Sequence, residues 1–120
     1  MDKTNKLFEV KVSALKGTFS RLLHKYKIKN LYFSDHFHAR AVERNIDNKA
    51  NELFMLALIA LKDMALSTSN TTRYKVSGKG IFIIAKISVG TVTGVRKLIV
   101  QTCYDIDIFN ADRYDTNLKY

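Results

Sequence analysis

The run Leu53-Phe54-Met55-Leu56-Ala57-Leu58-Ile59-Ala60-Leu61 is apolar around nearly the whole circumference of a helix. It is far short of the roughly 20 apolar residues that cross a membrane, so it must find its burial inside a folded domain. It predicts a central buried helix over about Asn48 to Leu66. The chain has 120 residues, 47% of them hydrophobic, and no Pro. That length and composition fit one domain over residues 1–120 with a real core.

Period-two and β-branched segments follow this helix. Tyr74 and Val76 alternate with Arg73 and Lys75, and Ser77-Gly78-Lys79-Gly80 supplies a turn. Ile81 to Val89 reads as a strand buried on both faces, and Val95 to Tyr104 as another. Ahead of the helix, Lys6 to Lys29 is basic and amphipathic, with Val12, Leu15, Phe19, Leu22, Leu23 and Tyr26 on one helical face. Phe8, Val10 and Val12 alternate, which also fits a short strand. Leu31-Tyr32-Phe33 reads as a brief extended piece. Ser34 is a good N-cap for a helix from Asp35 to Arg44, Asn45 can end it, and Asp47 can cap the next. Ile106 to Phe109 fits an edge strand, and residues 110–120 read as a frayed tail. The expected class is α+β: N-terminal helices packed on a small antiparallel sheet of three to four strands.

Charge is the first functional signal. Twenty Lys and Arg against eleven Asp and Glu give +9. Residues 105–120 hold Asp105, Asp107, Asp112 and Asp115 against Arg113 and Lys119, so the positive excess lies upstream. Such a chain suits nucleic acid, because neutralising phosphates releases condensed counterions. An anionic membrane surface or an acidic protein partner is the alternative. Met1 to Lys6 is not followed by the apolar stretch of a signal peptide, and a lone Cys103 makes no internal disulfide. A reducing cytoplasm is the expected compartment, with no membrane partner.

The densest polar cluster is His36, His38, Arg40, Glu43 and Arg44. Helical spacing puts positions 36, 40 and 43/44 on one face, so His36 and Arg40 project side by side. That pairs a proton-transfer group with a phosphate clamp. The neighbouring cation and the helix N-terminus both favour the neutral imidazole, the form that takes a proton. His38 points elsewhere, with Ala41 and Val42. The plainer reading makes all five the polar surface of a short amphipathic helix. There is no Gly-rich phosphate loop before a helix, no Cys–His nucleophile spacing and no metal-ligand spacing, so neither metal nor cofactor is expected. Arg73 and Lys75 share one face of their strand, and Lys79 at the turn extends the line, as contacts for RNA phosphates would. Equally, these are the usual solvent-facing residues of a half-buried strand.

The run Tyr32-Phe33-Ser34-Asp35-His36-Phe37-His38-Ala39-Arg40-Ala41-Val42-Glu43-Arg44-Asn45-Ile46-Asp47 resembles the same region of the phage RegB endoribonuclease family. The shared pattern is a Ser-x-His start, an Arg-Ala pair, a second Arg and an Ile-Asp ending. Glu52-Leu53-Phe54 is similar to the family's next helix. The resemblance implies a RelE-like fold and metal-independent cleavage of mRNA that leaves a 2′,3′-cyclic phosphate. It also implies a ribosomal protein or the ribosome as a further partner. His36 matches the family's first catalytic histidine, and Arg40 and Arg44 its two arginines. The second functional histidine would fall near Met55 and is missing here, which leaves Lys75, Arg73, Tyr74 or His24 for that role. The alternative is a non-enzymatic phage or mobile-element protein that binds and inhibits a host protein or nucleic-acid target.

Overall fold

A computed structural model describes residues 3–21, 31–105 and 114–120. In chain order it contains α1 (Lys3–Thr18), β1 (Leu31–Phe33), α2 (Asp35–Glu43), a 3-10 turn (Asp47–Lys49) and α3 (Ala50–Leu66). Strands β2 (Arg73–Gly78), β3 (Ile81–Val89), β4 (Arg96–Asp105) and β5 (Thr116–Lys119) follow.

The apolar run becomes the core of α3, which buries Leu53, Phe54, Leu56, Ala57, Ala60, Leu61 and Met64. These pack in one cluster with Tyr74 and Val76 of β2, Ile81, Ile83, Ala85 and Ile87 of β3, and Leu98 and Val100 of β4. Met55, Leu58 and Ile59 of the same helix stay half-buried. Asp47 does not cap α3: it opens the 3-10 turn, and neither that turn nor α3 has a side-chain cap.

The sheet corrects the expectation of a small antiparallel one. It has five strands in the order β1-β4-β3-β2-β5. The central pairs β2/β3 and β3/β4 are antiparallel, but both edges are parallel, β1 on β4 and β5 on β2. Leu31-Tyr32-Phe33 is thus a paired strand, in register with Leu98 to Val100. Residues 116–119, read as part of a frayed tail, instead form β5, with Leu118 packed against the core. The edge strand expected at 106–109 lies outside the described residues. The alternating Phe8, Val10 and Val12 are helical: Phe8 and Val12 are buried, and Leu15 and Phe19 continue their face. The rest of that face, from Leu22 to Tyr26, lies outside the described residues. The β2–β3 turn is a two-residue turn with both central residues at positive φ, Lys79 at 56° and Gly80 at 78°.

Candidate nucleic-acid interface

Helix α2 is pinned to β4 at both ends. At its start, the Ser34 hydroxyl accepts from the Phe37 amide at 3.0 Å and donates to the Gln101 carbonyl at 2.8 Å. Gln101 is the extra residue of a β-bulge, since the partner of Ile84 is Thr102 while that of Ala85 is Val100. The bulge therefore presents the carbonyl that anchors the cap. At the other end, the Asn45 amide bonds to Val42 and the Ile46 amide to Ala41, a Schellman motif with Asn45 at φ 57° in the left-handed position. Arg44 then donates to the Cys103 carbonyl at 3.0 Å. Where β1 stops, α2 takes over the β4 edge.

On the outer side of α2, the structure brings His36 and Arg40 together. Arg40 Nε donates to His36 Nε2 at 3.3 Å. In this contact His36 Nε2 is the acceptor. Arg40 also forms an ion pair with Glu43, one turn on. His36 is exposed, and the Arg40 and Glu43 side chains are 34% and 59% exposed, so water competes for every contact here. Arg44 does not join them. Its guanidinium lies 4.1 Å over the Tyr104 ring, on the sheet.

That places Arg44 at one end of a row across the sheet face turned away from α3. Tyr104 stacks on Phe82 at 5.1 Å, and Lys75 Nζ lies 4.9 Å over the Phe82 ring. Strand alternation puts Arg73 and Lys86 on this same face, where they are register partners. Arg73 is 57% exposed and pairs with Asp115 at 3.8 Å. Lys79 sits apart at the turn, its ammonium 5.4 Å over Tyr120 and its carbonyl accepting from Lys49 at 3.4 Å. Tyr74 faces the core and is fully buried. Burial, with Asp63 beside it, pushes its hydroxyl up. His24 lies outside the described residues.

His38 does pack inward, as expected, and its ring meets Phe8 and Phe37 edge-on at 5.6 and 5.4 Å. Burial holds it below the usual imidazole range, against the opposing pull of Glu9 and Asp35. Its Nδ1 is enclosed without a hydrogen-bond partner. Cys103 is buried too, and burial pushes its thiol up to about 12, with Arg44 pulling the other way.

Sequence reasoning missed one grouping. Tyr32 is 52% exposed, with Lys16 Nζ 5.9 Å and Lys97 Nζ 5.3 Å over its ring. The three come from α1, β1 and β4, so no window of sequence holds them; the only signal was an aromatic residue at the outward position of a short strand. Among the described residues, no three His, Cys, Asp or Glu side chains gather as a metal site would require, and no helix is long and apolar enough to cross a membrane. The chain gives no significant match among family models, curated proteins or solved structures.

Proposed function

We propose that this protein binds RNA and cleaves it as a metal-independent endoribonuclease of the RelE/RegB-like kind. The observation that carries the reading is the His36–Arg40 contact, solvent-facing, on a chain of net charge +9. A neutral imidazole with its base nitrogen held by a guanidinium is a base waiting for a phosphate. An RNA phosphodiester draws Arg40 to its oxygens, as a doubly charge-assisted contact, and frees Nε2. His36 then takes the proton from the ribose 2′-OH. The 2′-oxygen attacks phosphorus, the bond to the 5′-oxygen breaks, and the departing oxygen takes its proton from water or the imidazolium. Arg40 stabilises the added phosphorane charge. Arg44, Lys75 and Arg73 hold phosphates farther along the strand, while Lys79 stands apart from that row at the β2–β3 turn.

The test is incubation of purified protein with mixed RNA in EDTA, followed by end-group analysis. Cyclic-phosphate ends are expected from the native protein, and a rate lower by about 10²–10⁴ from a folded His36→Ala variant. Native-level cleavage by that variant removes the mechanism. A second reading, a non-enzymatic RNA or host-protein binder, is favoured by one observation: among the described residues no second proton-transfer side chain contacts His36. Absence of cyclic-phosphate ends at high protein concentration selects it.

A further inference from the structure

A cavity of about 220 Å³ opens between α1 and the junction of β1 with α2. Its lining includes Glu9, Ser13 and Lys16 of α1, Tyr32 of β1, and Asp35 and His38 of α2. His38 forms its inner wall and is only 8% exposed. At the mouth, Tyr32 keeps 52% of its surface exposed on an edge strand, with the ammonium groups of Lys16 and Lys97 over its ring.

These groups sort by chemistry. An exposed aromatic ring is a stacking platform, which serves any base. The lysines now over the ring can swing off it to the phosphates on either side of a stacked base. The carboxylates of Glu9 and Asp35 can only accept hydrogen bonds. They repel a phosphate and favour an exocyclic amine, as carboxylates do when they read the N4 amine of cytosine.

We propose that this cavity takes one unpaired nucleobase bearing an exocyclic amine, stacked on Tyr32, from the single-stranded RNA that the reading above assigns as substrate. Uracil is disfavoured, because a carbonyl oxygen, O4, replaces the amine and leaves only N3–H to donate to the two carboxylates. The proposal rests on the RNA-binding reading and goes beyond it by naming the residues that select the base.

The experiment measures fluorescence anisotropy of labelled oligo(rC) and oligo(rU) of equal length, with full-length protein at one fixed salt concentration. Native protein is expected to hold oligo(rC) about tenfold more tightly. Tyr32→Ala should weaken oligo(rC) binding by about tenfold, and Tyr32→Phe should restore it. The double variant Glu9→Gln/Asp35→Asn should bring the two affinities together, since an amide both donates and accepts. Circular dichroism and a thermal melt establish that each variant is folded. Unchanged oligo(rC) binding by folded Tyr32→Ala, or a C-over-U ratio that survives the double variant, overturns the assignment while leaving RNA binding standing. Native protein that binds neither oligonucleotide overturns the RNA-binding reading itself, and the base pocket with it.

Discussion

His38 should be a stability liability that grows as the pH falls, and His38→Phe should remove it. The imidazole sits among Phe8, Phe33 and Phe37, with ring centroids 5.6, 6.3 and 5.4 Å away. Its enclosed Nδ1 lacks a partner, and an unsatisfied buried polar atom costs about 1–3 kcal/mol. A phenyl ring fills nearly the same space with no polar atom, and the slight excess of volume offsets part of the gain. A net stabilisation of about 1 kcal/mol at pH 7, or about 4 °C in Tm, is expected. The pH term has a definite sign. Burial depresses the His38 pKa in the folded state, so the unfolded chain binds the proton more tightly. Stability is therefore full above the unfolded value of about 6.5 and declines as the pH falls through it. With the folded state kept neutral, the loss between pH 7 and 5.5 has a ceiling of about 1.3 kcal/mol. The gap between variant and native protein should thus widen on acidification, by no more than that ceiling. Urea melts of both proteins at the two pH values measure this, and the comparison cancels the other titrating groups. A gap that stays constant or closes on acidification would refute the claim that the fold holds His38 neutral. A variant less stable than native protein at both values would show that Nδ1 has no uncompensated cost.

On the sheet face, Arg73→Ala/Lys75→Ala should weaken RNA binding at low salt and lower the salt slope of log K by about 1.4, which is about 0.7 for each single-strand phosphate left without its cation. Titrations at several salt concentrations read it, and an unchanged slope moves the RNA to the basic face of α1. Cys103, its thiol raised to about 12 by burial, should resist iodoacetamide at pH 8 in native protein and react at full rate in denaturant. Rapid native labelling, followed by mass spectrometry, would contradict the buried placement.

Much of the local structure was legible because its causes are local. Ser34 and Asn45 bracket α2 through bonds to residues within a turn, as their types suggest. The α3 run and the Ile81–Val89 strand carry enough apolar surface to dictate burial under any topology. Strands β1 and β5 were harder. Leu31-Tyr32-Phe33 and Thr116-Asn117-Leu118-Lys119 are short, and each is held by one parallel neighbour supplied from far along the chain. Pairing of that kind leaves no periodic mark on so few residues.

The division of the predicted arginine pair has a more specific cause. Positions 36, 40 and 44 share a face only while the chain stays helical, and α2 ends at Glu43. Arg44, at φ −94° and ψ 7°, has already left helical geometry, and the Schellman turn beyond it swings the side chain to the sheet. There the Cys103 carbonyl, lying past the end of β1, needs a donor, and Tyr104 presents its ring face. A guanidinium satisfies both at once, with one N–H to the carbonyl and its plane on the aromatic ring. Arg40, one turn earlier, has no such competitor and stays with His36 and Glu43. Helical periodicity held over four residues and failed at eight because the capping chemistry that ends the helix also reassigns its last cation. In the structure, Arg40 is therefore the arginine in contact with the imidazole, while Arg44 ties the helix that carries both to the strand beneath it.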